Sequence, residues 1–187
     1  MIKLKIASAQ EVYDFWFKEG NEEKWFQSTN EFDEEIRMRF YETWEAARVG
    51  LLFDWRESLE GRLAEIIVLD QFSRNLNRGS ALSYSQDQMA LVLSQHAINH
   101  PDFEKQSLDE KSFTLLPWMH SESKKIQKIT ERLYLKLDSE LHTEIMYNHK
   151  EIIDRFGRYP HRNKVMGRQS TADEIEFLET NELDFTK

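Results

Sequence analysis

Residues 155 to 168 read Arg-Phe-Gly-Arg-Tyr-Pro-His-Arg-Asn-Lys-Val-Met-Gly-Arg. The stretch holds five positive charges and no acid, in a chain whose net charge is -9. Four of the twelve arginines fall within it. Arginine presents a planar fork of donors that matches a carboxylate or a phosphate. Two glycines and a proline interrupt the stretch, which predicts a loop that can bring backbone close to a ligand. The chemistry that fits is capture of an anion by Arg155, Arg158, Arg162 and Arg168, with His161 and Asn163 beside them.

A second set lies upstream. Leu63, Ile67 and Asp70 recur at helical spacing, so the Asp70 carboxylate shares a face with core residues. A carboxylate on an apolar face must be paired or protonated. Arg74 follows one turn later on that face, and Arg78 one turn further. Asp70 and Arg74 then either form a structural pair closing a helix end, or Asp70 orients an arginine or histidine in a pocket that Arg74 and Arg78 join. The run Gln71 to Ser80 has no acid, which favours the pocket.

Three histidines are candidate acid–base groups. His149 interrupts an apolar helical stripe, either as a satisfied core residue or as a group delivered towards the basic loop. His120 sits in Trp118-Met119-His120-Ser121-Glu122, just after Pro117. His161 lies inside the basic loop. With Asp70 and Glu122 these three could ligate a divalent metal, but no two of them stand at metal-ligating spacing, and no metal is assigned. No cofactor is indicated. The chain has no glycine-rich phosphate loop and no Gly-x-Ser-x-Gly elbow.

The elements that must position these groups read as helices. The chain has 187 residues, 40% of them hydrophobic and 12% aromatic, enough for one domain with a real core. It has six glycines, three prolines and no cysteine, which leaves little hairpin chemistry and excludes disulfides and thiol nucleophiles. Val12, Phe15 and Trp16 open a first stripe. Ile36, Phe40, Trp44, Ala47 and Leu51 form a second, ending near Gly50. Leu63, Ile66 and Ile67 open a third. Met89, Val92 and Leu93 mark a fourth. Ser107 and Glu110 make a capping box that starts a short helix through Phe113 and Leu116, which Pro117 stops or kinks. Ile126, Ile129, Leu133 and Leu137 give a sixth helix. Leu141, Ile145, His149, Ile152 and Phe156 give a seventh. Thr171 and Glu174 cap the last, through Ile175 and Leu178. The expectation is an all-α fold, a single helical domain over residues 1–187, with about eight helices stacked as antiparallel hairpins. Trp16, Trp25, Trp44 and Trp55 are expected in the helix-packing core.

Met1-Ile2-Lys3-Leu4-Lys5-Ile6 lacks the apolar region of a signal peptide. No apolar run reaches the roughly 18 residues of a membrane span. A cytoplasmic protein is expected, with no membrane partner. The acidic balance argues against general nucleic-acid binding.

Leu69-Asp70-Gln71-Phe72-Ser73-Arg74-Asn75, Arg78-Gly79, Leu116-Pro117-Trp118-Met119-His120-Ser121-Glu122, Arg155-Phe156-Gly157-Arg158-Tyr159-Pro160-His161-Arg162-Asn163 and Gly167-Arg168-Gln169-Ser170-Thr171 together resemble the bacterial DUF924 family. Val12-Tyr13-Asp14-Phe15-Trp16-Phe17 matches its opening. The resemblance covers nearly the whole chain. It implies a tetratricopeptide-like helical fold of stacked antiparallel pairs, and no established activity. Ser73 stands where that pattern usually has proline, and Asn77 where an aromatic is common.

The reading that unites these motifs is one polar pocket for a small anionic ligand bearing phosphate or carboxylate. Arg74, Arg78, His120, Arg155, Arg158, His161, Arg162, Asn163 and Arg168 would line it, and Asp70 and Glu122 would hold the cations. One alternative is a hydrolase or transferase on an anionic substrate, with His120, His149 or His161 as general acid or base. Another is a helical scaffold that clamps a peptide carboxylate.

Overall fold

The computed structural model describes residues 5–18, 20–25 and 29–180. Among them are helices and turns and no strand. The helices are α1 (Ala9–Trp16), α2 (Asn30–Ala47), α3 (Leu59–Ile67), α4 (Ser73–Leu76), α5 (Asp87–Ala97), α6 (Leu108–Met119), α7 (Lys124–Tyr134), α8 (Glu140–Phe156) and α9 (Ala172–Thr180). One π-helical turn, Val68–Phe72, joins α3 to α4 into a continuous run. The described residues thus hold eight helical runs, as the periodicity predicts. Of the N-terminal segment read above, Met1 to Leu4 lie outside the described residues.

Local chemistry sets the helix starts. The Ser107 hydroxyl accepts from the Glu110 N–H while the Glu110 carboxylate accepts from the Ser107 N–H, so two orphan donors of α6 are satisfied at once. Ser8 and Glu11 do the same for α1. Thr171 and Glu174 exchange the equivalent pair of bonds ahead of α9.

The helix ends depart from the stripes. Leu51 is 57% exposed rather than part of the α2 face. Gly50 takes a left-handed φ of 78°. Its N–H bonds the Ala47 carbonyl, and the Leu51 N–H bonds that of Ala46, which closes α2. Pro117 does not stop α6, which runs on to Met119. The proline sits in the last turn, where it forfeits one bond, and the His120 N–H still reaches the Leu116 carbonyl at 3.0 Å. Leu137 lies beyond α7, in a tighter turn over Leu135–Leu137. Val92 and Leu141 are exposed.

One main core holds Trp16, Phe40, Trp44, Ile67, Leu69, Phe72 and Phe113, and Trp25 and Trp55 pack against it. The Trp16 and Phe113 rings meet edge to face at 5.4 Å, a geometry that favours aromatic pairs beyond their area. The four N-terminal tryptophans are therefore packing residues. A smaller core of Ile152, Ile153 and Tyr159, with Phe156 and Phe177, anchors the chain after α8. α3 contacts α1, α5 and α6, and α6, α7 and α8 pack in succession. The Trp44 indole donates to the Ser73 hydroxyl at 2.8 Å, which ties α2 to α4 just beyond the π-turn.

Gly61 lets α3 seat against the preceding segment. A Cβ there would meet the Trp55 carbonyl oxygen at 2.0 Å. An ordinary helix-interior Gly→Ala change stabilises by about 1 kcal/mol. Here the clash is with backbone, and overpacking of this kind costs about 1–3 kcal/mol. Gly61→Ala is therefore expected to destabilise by about 1–2 kcal/mol in a denaturant melt, the opposite sign to the helix-propensity expectation.

Candidate functional site

Asp70 lies within the π-turn, and its side chain is 1% exposed. Single π-turns inside helices are frequent at functional sites. Its Oδ1 accepts from His120 Nδ1 at 2.7 Å and from Arg74 Nη1 at 3.2 Å. Gln71 Nε2 donates to its other oxygen. Burial alone would push this carboxyl up, but the charge of Arg74 beside it and the contacts with His120 and Gln71 hold it well below the usual range. Arg74 continues the network to Asp87 at the start of α5, with Nη1 to Oδ1 at 3.0 Å. Asp87 in turn accepts from Arg162 Nη1 at 3.1 Å. Two aspartates and two arginines from α4, the π-turn, α5 and the basic segment thus form one charge-balanced chain, with His120 at its head.

The basic segment is not a solvated loop. Arg155 and Phe156 belong to the last turn of α8, and Pro160–Arg162 form a short 3-10 turn. Tyr159 is fully buried. Its hydroxyl donates to the Met119 carbonyl, and its N–H donates to Glu122 Oε1 at 2.8 Å. The Arg162 side chain is 7% exposed. Its guanidinium carbon lies 4.5 Å from the ring centroids of both Tyr84 and Tyr159. Its Nε is buried with no hydrogen-bond partner. The segment is sealed because an aromatic at 159 completes the small core and recruits the α6 carbonyl end. A loop reading from glycine and proline content misses that.

Several predicted members go elsewhere. The basic segment is expected to bring Arg158 or Arg162 near Asp70 or Glu122; Arg162 acts on Glu122 through its charge, while the Arg158 fork is bound to Glu174, Nε to Oε1 at 2.6 Å and Nη2 to Oε2 at 2.8 Å. Those bonds lead the causes that hold Glu174 at about 2. Asn163 joins the same carboxylate at 3.2 Å. Arg168 is the residue that pairs with Glu122, at 2.6 and 3.0 Å. Burial would raise Glu122, yet Arg168 and the Tyr159 N–H keep it lowered. Arg78 turns to α2 and binds Asp33 through Nε at 3.0 Å, and Asn75 donates to Asp33 as well at 2.7 Å. Arg155 is exposed, over Phe156 and Phe177. The one large pocket of the sequence reading resolves into a central cluster and three separate carboxylate clamps.

His149 and His161 lie against Tyr159, and the charge of Arg162 acts on both. The His149 and His161 rings lie 6.0 and 5.5 Å from the Tyr159 ring. His149 Nδ1 bonds the Ile145 carbonyl at 2.8 Å. Burial lowers His149 to about 4, with His120, Arg162 and Arg74 adding to it. Burial, then Arg162 and His149, lower His161 to about 3. His120 is lowered by burial and Arg74, against the pull of Asp70. His149 and His161 are therefore neutral at pH 7.

Asp87, Tyr84, Tyr159, Asp33 and Glu174 carry the network and were not singled out as site residues from sequence. Asp87 opens α5, where a carboxylate already suits the helix end, so its partners across the fold leave no separate trace. His96 and His100 stand at His-x-x-x-His spacing, but α5 ends at Ala97, between them. Among the described residues no group of three metal-ligating side chains forms. Two open surface clefts lie at Ala7, Phe40 and Tyr41 and at Leu135, Ser139 and Tyr147, and no member of the central cluster lines either. No helix among the described residues is long and apolar enough to cross a membrane.

Comparison with known proteins agrees on the fold and names no activity. A solved structure of a protein of unknown function from Agrobacterium tumefaciens is similar, with a TM-score of 0.87 and 35% identity over 92% of this chain and 97% of that one. No curated protein matches. A family model described as a bacterial protein of unknown function, DUF924, matches residues 12–182. The chain belongs to the DUF924 family.

Proposed function

We propose that the protein binds a small anionic ligand, bearing a carboxylate or a phosphate, at Arg162. The observation that carries this reading is the state of that one guanidinium. Arg78, Arg158 and Arg168 each give two nitrogens to a single carboxylate. Arg162 gives one nitrogen to Asp87 and keeps a buried Nε without an acceptor. A buried donor left unpaired costs about 1–3 kcal/mol, and a ligand oxygen would remove that cost. Tyr84 and Tyr159 hold the guanidinium plane, so little side-chain freedom is lost on binding. His149 and His161 lie within electrostatic reach of that guanidinium, and the cytoplasm, where small phosphates and carboxylates abound, suits the acidic, cysteine-free composition.

A second reading has its own observation. Asp70 holds His120 Nδ1 at 2.7 Å from a nearly solvent-free position, which fixes the tautomer and leaves Nε2 as the basic end. A neutral imidazole so oriented suits a general base. The reaction class would be hydrolysis or group transfer on the anion that Arg162 holds.

A thermal-shift series with carboxylic acids, inorganic phosphate, phosphorylated sugars and nucleotides tests the first reading. A ligand at 100 times its dissociation constant stabilises by about 2.7 kcal/mol, an upward shift of roughly 5–10 °C for a chain of this size. Arg162→Lys keeps the charge and loses the fork, and should abolish most of the shift. Arg155→Gln, at the exposed arginine, should leave it intact. Equal shifts in both variants would overturn the reading.

The network makes two stability predictions. Asp70→Ala leaves Arg74 and His120 without their carboxylate and is expected to cost about 3–5 kcal/mol in a urea melt. Acid is expected to destabilise well above the carboxylate range. His149 and His161 are lowered in the folded state to about 4 and about 3. The unfolded chain therefore binds more protons below the ordinary histidine value of about 6.5, and stability falls as pH drops through that value. Each contributes a loss of about 2 kcal/mol at pH 5. Melts at pH 7.5 and pH 5 check this, and His149→Gln should shrink the difference.

A further inference from the structure

We propose that the group held at Arg162 is a single planar carboxylate, and that the rings of Tyr84 and Tyr159 exclude tetrahedral anions from the same place. This rests on the anion-binding reading above and names the ligand class within it. The protein supplies its own reference geometry. Arg56 meets Glu65 through Nε and Nη2, each at 2.7 Å. Arg78 meets Asp33 through the same two nitrogens at 3.0 and 3.2 Å. Arg158 meets Glu174 through them at 2.6 and 2.8 Å. The Nε–Nη2 edge is thus where this fold takes a carboxylate, by two parallel bonds in one plane. Arg162 instead bonds Asp87 from Nη1, at the other end of its fork. Among the described residues its Nε–Nη2 edge has no acceptor, and Nε is buried. The acids that act on Arg162 are committed elsewhere. Asp87 divides its oxygens between Arg162 and Arg74. Glu122 acts through its charge, with its oxygens on Arg168 and the Tyr159 N–H.

The faces of the guanidinium decide what can sit at that edge. Its central carbon lies 4.5 Å from the ring centroids of both Tyr84 and Tyr159, within cation–π contact. A carboxylate on the Nε–Nη2 edge lies in the guanidinium plane and places no oxygen over a ring. A sulfonate or phosphate bound by two oxygens holds its other two substituents above and below that plane. At least one of these is a partly negative oxygen. The face of an aromatic ring carries negative charge density, so the obstacle to that oxygen is electrostatic as well as steric. Charge acts in the same direction. A phosphate ester carries about -1.5 to -2 near pH 7, and Arg162 already shares its charge with Asp87. A carboxylate brings a single charge.

The two rings differ in what holds them. Tyr159 is fixed, with its ring in the small core and its hydroxyl on the Met119 carbonyl. Tyr84 is half-buried and ends the short turn Ala81–Tyr84. Tyr84 is therefore the ring whose removal opens the slot with least disturbance to the core. The ligand class is a molecule that enters with a free carboxylate, and sulfonates and phosphate esters are rejected.

Matched pairs of monoanions test this. Acetate and methanesulfonate share a methyl group and a charge, and benzoate and benzenesulfonate share a ring and a charge. Within each pair only the planar or tetrahedral head differs. Each is titrated at constant ionic strength into nitrogen-15-labelled protein while the arginine Nε–H signals are followed, and the signal lost in Arg162→Lys identifies Arg162. The expected result is a saturable shift of that signal with the carboxylates. The sulfonates should bind at least about tenfold more weakly, the scale on which a pocket rejects a poorly fitting group. Tyr84→Ala, shown to be folded by circular dichroism, should bring the paired affinities together. Sulfonates or inorganic phosphate that bind as tightly as the carboxylates overturn the inference and leave the anion site standing. No response of the Arg162 signal to any of these anions, with no stabilisation in the thermal series, overturns the site itself. An unchanged preference in folded Tyr84→Ala overturns the role of that ring. If the variant does not fold, the paired titrations of the unaltered protein carry the decision.

Discussion

A carboxylate at a position 1% exposed cannot remain ionised unless the fold supplies charge to meet it. Asp70 is in that position, and much of the arrangement around it follows. Arg74 lies one turn along the same run, so α4 can reach it without leaving its axis. His120 comes from the far end of α6, which must therefore dock against the π-turn. Arg74 is itself only 21% exposed and needs a second acid, which Asp87 provides from the first residue of α5. Asp87 then draws in Arg162. Four charges from four elements are met in sequence, and removal of any one leaves the next uncompensated. The π-turn sets where this begins, because it shifts the helical register by one residue over Val68–Phe72.

The segment after α8 closes the arrangement from outside. Fixing an irregular backbone is entropically costly, so ordering it requires strong anchors. Tyr159 is one, with its ring in the small core and its hydroxyl on the Met119 carbonyl. Glu122 is another, accepting from both Arg168 and the Tyr159 backbone. Glu174 is the third, shared by Arg158, Asn163 and the Thr171 N–H. The same carboxylate caps α9 and clamps the basic segment, so the last helix and that segment order together. Arginine here has two uses. Three forks act as clamps on carboxylates from other elements, whereas Arg162 gives a single nitrogen to Asp87.

Much of this was legible in the sequence. The two capping boxes at Ser107 and Thr171 fixed helix starts because their chemistry is local. The α2 stripe was read correctly up to Ala47 and failed at Leu51, where Gly50 had already turned the chain. Asp70 was recognisable as a group needing a partner, since its spacing from Leu63 and Ile67 put it on the core face. Its partner His120 was a candidate only through motif and corner position. What could not be read was which arginine met which acid. Arg78 with Asp33, Arg158 with Glu174 and Arg168 with Glu122 are pairings between elements, and charge patterning along a chain has no information on distance across a fold. Asp87 was missed for the same reason. The burial of the basic segment was hidden because proline and glycine content resembles that of an exposed loop, and the single buried Tyr159 that reverses this is unremarkable in sequence.

The balance between packing and function turns on what a buried polar network costs. Apolar residues of similar volume often replace buried ion pairs with no loss of stability. A network kept only to hold helices together would be expected to close its donors, since most buried polar groups in folded proteins find partners. The clamps at Glu122 and Glu174 satisfy most of that expectation. Arg168 also has a buried Nε without a partner, but both of its terminal nitrogens are bound to Glu122. Arg162 has one bond, two flanking tyrosines and neutral imidazoles within electrostatic reach. Those imidazoles make the fold less stable in acid, a cost that packing alone does not require. The cluster around Arg162 is thus the place where the fold departs furthest from what stability demands, and where a ligand would gain most from what it leaves open.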